Sequence, residues 1–269
     1  MCYDILIVGG GPAGLSAAIN GRIRGKTVLL LSSPMEDSPL WKAERVENYL
    51  GLPGVTGAEL LTAFRRHAEA SGAELRELRV LSAMPVGDRW YLSGEDQVFE
   101  GRALILAAGA VRGKPLPGEE RLLGRGVSYC ATCDGMLYRG RNVVVLSWTG
   151  SAEREADFLR GIGCAVRYYD RPQGVEILGE EAVTGVRVNG REEAADAVFL
   201  LRPAVAPAAL LPGLAMENGS VTVDRQMATN LPGVFAAGDC TGAPYQVAKA
   251  VGEGLIAGQS AAKWADRQG

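Results

Sequence analysis

The chain has 269 residues, of which 47% are hydrophobic and 22% are charged. These proportions are typical of a globular protein, and the length suffices for one or two hydrophobic cores. The formal net charge of -3 gives no basic surface of the kind that binds nucleic acid. No apolar run reaches the length of a membrane span, and the chain starts directly on a predicted strand without a signal-peptide pattern. We therefore expect a cytoplasmic protein that contacts neither membrane nor nucleic acid.

The first part of the chain predicts alternating strands and helices. The apolar run Ile5–Val8 indicates a buried strand, Leu15–Ile23 a helix and Thr27–Leu31 a second strand, which together form a βαβ unit. An amphipathic helix is predicted over 57–71, and a separate return strand over 102–108 follows a predicted hairpin. This alternation favours an α/β fold with a parallel sheet.

A glycine loop separates the first strand from its helix, with the sequence Gly9-Gly10-Gly11-Pro12-Ala13-Gly14. Gly9 permits a tight turn, Gly11 lets the backbone approach a pyrophosphate, and Gly14 lets the helix pack closely on the strand. The loop therefore predicts a dinucleotide site, and the alternative is a purely structural glycine turn. The acidic residue expected after the second strand is replaced by Ser32, whose hydroxyl can still accept a hydrogen bond from a ribose.

Cys130 and Cys133 form a CxxC pair. Zinc is disfavoured because the chain has no second CxxC, and its one histidine, His67, falls on the amphipathic helix. A redox dithiol is favoured because two intervening residues let the thiols close a strained, reducible ring. Asp134 beside them can transfer the proton that thiolate chemistry requires, or can act only as a helix cap. The remaining cysteines are expected to be small core or loop residues: Cys2, Cys164 and Cys240.

A second βαβ unit is predicted over 142–169, but its nucleotide loop has lost the glycines. The three small positions of such a loop fall on Ser147, Thr149 and Ala152. With Trp148 also in this loop, side chains obstruct the approach of the backbone to a pyrophosphate. After the next strand, Arg171 supplies one guanidinium rather than a basic cluster. The segment predicts a degenerate nucleotide site, and the alternative is a loop that binds a nucleotide in an unusual way.

Two stretches of linker composition divide the chain. We expect one domain over 1–112 and 214–269, interrupted by a second domain over 113–213. Near the end, Gly238-Asp239 places a carboxylate where it can bind a sugar-like hydroxyl or cap the following turn. The final helix is predicted from Gln246 to about Trp264, broken or weakened near Gly252-Glu253-Gly254 because glycine has a low helix propensity.

The dithiol motif Val127–Gly135 and several further motifs together resemble the low-molecular-weight flavin-dependent thioredoxin reductases. The motifs that match the flavin domain of this family are Glu47-Asn48-Tyr49, Ala107-Ala108-Gly109, Phe235–Cys240 and Val251–Gly254. The chain departs from the NADPH-dependent enzymes in its second loop and in Tyr245, which stands before Gln246 where those enzymes usually carry arginine. These departures resemble the ferredoxin-dependent, pyridine-nucleotide-independent branch.

The resemblance implies an FAD-binding Rossmann-like domain interrupted by a smaller, shortened and degenerate nucleotide-binding-like domain that carries the CxxC. It implies FAD as cofactor, thioredoxin as substrate, ferredoxin as electron donor, and a homodimer. It further implies that Cys133 faces the flavin, that Cys130 attacks thioredoxin, and that Asp134 is available as proton donor.

The residues expected to bind FAD are Gly9, Gly11, Pro12, Ala13, Gly14, Ser32, Asn48, Ala108, Gly109, Gly238, Asp239, Tyr245, Gln246 and Val247. Two other functions fit the same motifs. One is an NAD(P)H-dependent disulfide reductase with an atypical nucleotide site, and the other is a non-enzymatic redox sensor that binds FAD.

Overall fold

The computed structural model describes residues 2–94, 97–109, 115–129, 131–148, 152–202 and 207–268, with the backbone alone at 132, 133 and 152. The strands and helices are, in chain order, β1 Cys2–Val8, α1 Pro12–Ile23, β2 Val28–Ser32, α2 Gly57–Ala70, β3 Glu74–Glu77, β4 Ser82–Val86, β5 Arg89–Gly94, β6 Gln97–Leu106, α3 Glu119–Leu122, β7 Val127–Ser128, α4 Ala131–Asp134, β8 Asn142–Ser147, α5 Ala152–Gly161, β9 Ala165–Asp170, β10 Glu176–Leu178, β11 Gly185–Val188, β12 Arg191–Ala194, β13 Ala197–Leu201, α6 Pro207–Leu210, β14 Met216–Glu217, β15 Ser220–Val221, β16 Val234–Ala236 and α7 Val247–Asp266.

The chain forms two compact units. The first unit comprises Met1–Val111 and Ala204–Gly269, and the second comprises Arg112–Pro203. The second boundary therefore precedes the expected one, which followed Gly213. The physical reason is the burial of Leu210, Leu211 and Leu214 in a hydrophobic core of the first unit.

A seven-stranded sheet forms the first unit, in the order β3-β2-β1-β6-β5-β4 with β16 also beside β6. The predicted βαβ unit is confirmed, because β1 pairs in parallel with β2 across α1. The expectation of a separate return strand over 102–108 is wrong, since this stretch continues β6. Along its length β6 changes partner, pairing antiparallel with β5 up to Gly101 and parallel with β16 from Leu104.

The last helix, α7, is unbroken, and the expected break or weakening at 252–254 is wrong. Its glycines allow close packing against α1: a Cβ built on Gly254 would lie 2.1 Å from the carbonyl oxygen of Ala13. A Cβ on Gly258 would lie 2.5 Å from the carbonyl oxygen of Ala17. The close packing of the two helices outweighs the low helix propensity of glycine.

The second unit has a four-stranded parallel sheet in the order β7-β13-β8-β9 and a three-stranded antiparallel sheet in the order β10-β11-β12. The predicted second βαβ unit is confirmed as β8, α5 and β9. Because β7, β13 and β8 are parallel neighbours, the residues that follow them lie at one edge of the sheet.

The histidine and the three cysteines outside the CxxC pair differ in their exposure to solvent. His67 is exposed in the last turn of α2, whereas Cys164 and Cys240 are buried and Cys2 is exposed. The described residues contain no group of three or more His, Cys, Asp or Glu side chains arranged to hold a metal ion. They also contain no helix with both the length and the apolar character needed to cross a bilayer.

Candidate functional site

Three loops of the first unit meet at one edge of its sheet. The loop Gly9–Gly14 follows β1, the segment Ala107–Gly109 follows β6, and the segment Ala237–Asp239 follows β16. Because these strands are parallel neighbours, their carboxyl ends lie side by side. In open α/β sheets, ligands bind at this edge.

Two glycines of the first loop are required by close backbone contacts. Gly9 has a φ of +116°, and a Cβ built on it would lie 2.1 Å from the carbonyl oxygen of Ala107. A Cβ on Gly14 would lie 1.9 Å from the carbonyl oxygen of Gly9. No side chain fits at either position, so these glycines set the turn and the packing of α1 on the sheet.

Gly11 differs, because its position faces open space. A Cβ built there would meet no atom of the described chain within 4 Å, apart from its immediate neighbours. Gly11 is the N-cap of α1 and has no side chain with which to cap the helix, and Pro12 is the first helical residue. The first N–H groups of a helix have no partner within the helix, and together with the positive end of the helix dipole they favour an anion such as a phosphate. A glycine needed only for close packing would have other atoms of the chain next to the position of its missing Cβ, as Gly9 and Gly14 do.

Other predicted cofactor residues border the same loop. Ser32 ends β2, and a Cβ on Gly10 would lie 2.8 Å from the Ser32 Oγ. Gly238 has a φ of +86°, and a Cβ there would lie 2.8 Å from the Cβ of Ala13. Ala108 and Gly109 follow β6 at the same edge, and both are half-buried.

Two further predicted residues, far apart in sequence, are hydrogen-bonded to each other. Asn48 Nδ2 donates to Gln246 Oε1 at 2.7 Å. Gln246 is the N-cap of α7 and Val247 is its first residue, while the preceding Tyr245 is 54% exposed. The start of α7 is therefore tied to the loop that carries Asn48.

Lys249 and Glu253 hold the loop that carries Asp239. Sequence reasoning assigned no role to Lys249 and placed Glu253 only within a motif of the flavin domain. Lys249 Nζ donates to the carbonyl oxygens of Gly238 at 2.9 Å and Gly242 at 2.6 Å. Glu253 Oε2 accepts from the Gly238 N–H at 2.8 Å and lies 3.2 Å from Lys249 Nζ. The two residues are four apart on α7, a spacing that predicts a side-chain pair but not its hydrogen bonds to a distant loop.

The dithiol segment belongs to the second unit. Cys130 lies outside the described residues, and the described backbone of Cys133 lies in the short helix α4. Asp134 is half-buried, and the Ser128 hydroxyl donates to its Oδ2 at 2.7 Å. Asp134 precedes a 3-10 turn, and no cap hydrogen bond from its side chain to this turn is found among the described residues. The described contacts therefore do not support the alternative that Asp134 is only a cap.

The second loop, after β8, is filled by side chains where it is described. Ser147 is fully buried, and Trp148 packs against the core of the second unit. The guanidinium of Arg202 lies over the Trp148 ring, 5.4 Å from its centroid. Arg171 is exposed, and its backbone N–H donates to the carbonyl oxygen of Ser147 at 2.6 Å. Thr149 lies outside the described residues, and Ala152 is the first residue of α5.

Comparison with known proteins agrees with this arrangement. The family model described as pyridine nucleotide-disulphide oxidoreductase, which has an α/β, Rossmann-like fold, matches residues 3–168 and 152–254. A thioredoxin reductase of Listeria innocua is 31% identical, with 98% of this chain and 94% of the relative covered. A ferredoxin-flavin thioredoxin reductase of Clostridium acetobutylicum superposes with a TM-score of 0.92 at 39% identity over 97% of both chains. A thioredoxin reductase of Gloeobacter violaceus gives 0.82 at 30% identity, over 99% of this chain and 95% of that one. The chain therefore belongs to the pyridine nucleotide-disulphide oxidoreductase family and, within it, to the thioredoxin reductases.

Proposed function

We propose that this protein is an FAD-containing thioredoxin reductase that takes its electrons from reduced ferredoxin. The observation that carries the proposal is the difference between its two nucleotide-type loops. The loop of the first unit is open at Gly11, whereas the loop of the second unit holds Trp148 under Arg202. The similarity to the ferredoxin-flavin thioredoxin reductase of C. acetobutylicum supports the same assignment.

The residues at the edge of the first sheet fit FAD. Gly11 and the N-terminus of α1 are suited to a pyrophosphate, because the position is open and the helix dipole favours negative charge. Asp239, in the segment that follows β16, would bind a ribityl hydroxyl, and Ser32 a ribose hydroxyl. When bound, FAD supplies a carrier that can be loaded one electron at a time and discharged in pairs.

The thiol chemistry falls to Cys130 and Cys133. The Cys130 thiolate attacks the thioredoxin disulfide, forming a mixed disulfide, and the departing thioredoxin sulfur takes up a proton. The Cys133 thiolate then attacks the Cys130 sulfur, which releases thioredoxin as a dithiol and restores the Cys130–Cys133 disulfide. Asp134 is suited to carry a proton in this exchange, with its carboxylate held by Ser128.

The ferredoxin assignment follows from what each donor needs. Hydride transfer from NADPH needs the pyrophosphate anchored at a second glycine loop and the 2′-phosphate anchored at cations. Here Trp148 is in that loop, and Arg171 stands beside Asp170 as the cation after the next strand. A one-electron protein donor requires neither anchor. The competing NAD(P)H-dependent reductase would need a different mode of nucleotide binding.

An anaerobic turnover assay tests the proposed function. Reduced ferredoxin, oxidised thioredoxin and catalytic amounts of the protein should release thioredoxin thiols, measured by alkylation, until the thioredoxin is exhausted. Mixtures that lack ferredoxin or the protein serve as controls. Absence of turnover with an active ferredoxin and thioredoxin pair would contradict the proposed function, and absence of turnover with NADPH as well would favour the redox sensor. Sedimentation equilibrium would test the homodimer that the resemblance implies.

Replacing Lys249 with methionine should weaken FAD binding about tenfold or more, because the loop that carries Asp239 loses hydrogen bonds from an ammonium group. The measurement is the Kd for FAD of the apoprotein, followed by flavin fluorescence. Lys263→Met is the matched control, since Lys263 is exposed near the other end of α7. Equal FAD affinity in the Lys249 variant and the parent would remove Lys249 from the cofactor site.

A further inference from the structure

A buried ion pair lies beside the dithiol segment in the second unit. The Glu119 side chain is 3% exposed, and both of its oxygens accept from the Arg202 guanidinium, at 2.7 Å and 2.8 Å. The Leu116 N–H donates to the same carboxylate at 2.7 Å, and the Tyr129 hydroxyl donates at 2.9 Å. The carboxylate therefore has four donors, which is its full hydrogen-bonding capacity.

The pKa of the Glu119 carboxyl shows how strongly these donors act. Burial works to raise this pKa, but the hydrogen bonds from Arg202, Leu116 and Tyr129, together with the charge of Arg202, lower it below its usual value. The carboxylate is therefore ionised, and its charge is balanced by Arg202 inside the unit. A bidentate pair with these distances has a fixed geometry.

Arg202 is fixed from its other side as well. Its guanidinium lies over the ring of Trp148, in a cation–π arrangement. Arg202 follows β13 and Trp148 follows the neighbouring strand β8, so the sheet itself sets their separation. The backbone N–H of Trp148 also donates to the carbonyl oxygen of Leu201 at 2.8 Å.

Tyr129 connects this cluster to the dithiol. It follows β7, which pairs with β13, and it immediately precedes Cys130 in the sequence. Burial and the charge of Glu119 raise the pKa of the Tyr129 phenol well above its usual value. The hydroxyl thus remains protonated and continues to donate to Glu119 throughout the physiological pH range.

We infer that Tyr129, Glu119 and Arg202 are positioning residues that fix the chain immediately before Cys130 and thereby stabilise the Cys130–Cys133 disulfide. The inference rests on the proposed function, because it needs this pair to be a redox couple. A disulfide closes more favourably when its thiols are held near bonding geometry than when one of them moves with a loose segment. Trp148, in the loop that has lost its glycines, holds Arg202 in this network.

The test is the equilibrium of the FAD-loaded protein with dithiothreitol buffers, with cysteine alkylation as readout. In this exchange the protein disulfide breaks and gains two protons as a dithiol, while dithiothreitol closes to its cyclic disulfide. Tyr129→Phe removes one hydroxyl and should shift the equilibrium about fivefold toward the dithiol, which corresponds to about 20 mV at 29.6 mV per tenfold change.

Tyr169→Phe is the matched control, since the Tyr169 hydroxyl also donates to a carboxylate, that of Glu193 at 2.6 Å, but lies on β9, at the opposite edge of the sheet from β7. Tyr169→Phe should leave the disulfide equilibrium unchanged. Glu119→Gln should shift the equilibrium at least as far as Tyr129→Phe, if that variant folds.

Two results would overturn the inference. One is an unshifted equilibrium in Tyr129→Phe, and the other is an equal shift in Tyr169→Phe, which would indicate general loosening of the unit. Both leave the proposed function intact, because the parent protein still forms the disulfide. A parent protein that forms no Cys130–Cys133 disulfide would instead contradict the proposed function itself.

Discussion

Gly11→Val is expected to give a folded protein that purifies without FAD. Its Cβ would enter space that no other described residue fills within 4 Å, and the φ of -79° at this position suits valine. The fold should therefore survive, whereas the approach of a pyrophosphate to the N-terminus of α1 should be blocked. Loss of two charge-assisted hydrogen bonds at roughly 1.5–3 kcal/mol each corresponds to about 100-fold or more in Kd.

The measurement combines flavin content after purification with far-ultraviolet circular dichroism. Gly161→Val is the control, because a Cβ on Gly161 also meets no described atom within 4 Å, but this glycine ends α5 in the second unit. That variant should keep its FAD. Full FAD occupancy in Gly11→Val, or FMN in the parent protein, would contradict the assignment of FAD to this loop.

The two cysteine variants should fail in different ways. Both Cys130→Ser and Cys133→Ser should lose thioredoxin reduction, because neither can form the intramolecular disulfide that releases thioredoxin. In Cys130→Ser the remaining Cys133 thiolate should give a long-wavelength charge-transfer absorbance with oxidised FAD. In Cys133→Ser this absorbance should be absent.

Absorbance spectra recorded across a pH titration distinguish the two variants, and Cys164→Ser provides the control. Cys164 is buried in the second unit, and its pKa is raised by burial, so its removal should change neither turnover nor spectrum. Identical spectra for the Cys130 and Cys133 variants would mean that the assigned order of the two thiols is wrong.

Sequence reasoning was most successful where local signals and topology agree. The strand, glycine loop and helix of the first unit follow from apolar runs and from the fixed geometry of a βαβ unit. The residues after β1, β6 and β16 that the resemblance assigned to FAD lie together because parallel strands place their carboxyl ends at one edge of the sheet. The start of α1 at Pro12 rather than Leu15 reflects the preference of proline for a first helical turn.

Features that depend on tertiary contacts were missed. Gly252 and Gly254 argue against a helix by propensity, yet α7 is unbroken. Close packing on α1 requires a small residue at Gly254, whereas a Cβ on Gly252 would meet no described atom within 4 Å. The strand β6 was divided in two because its change of partner between β5 and β16 leaves no local signal.

The supporting residues of the site were missed for a related reason. Only the fold brings Lys249 within hydrogen-bond distance of the carbonyl oxygens of Gly238 and Gly242. Arg202 and Glu119, which form an ion pair, are 83 residues apart in the sequence. Their residue types are common on surfaces, and only the fold shows that they are bound to backbone carbonyls or to a buried carboxylate.

The choice of electron donor can be measured by stopped-flow absorbance without oxygen, with the bound FAD mixed against each donor. Reduced ferredoxin is expected to bleach the flavin band rapidly and saturably. NADPH or NADH at about 1 mM should bleach almost none of it, because the missing phosphate anchors at roughly 1.5–3 kcal/mol each would raise the Kd for the nucleotide by orders of magnitude. Saturable reduction by NADPH at a rate comparable with that of ferredoxin would exclude the ferredoxin assignment and identify an NADPH-dependent thioredoxin reductase.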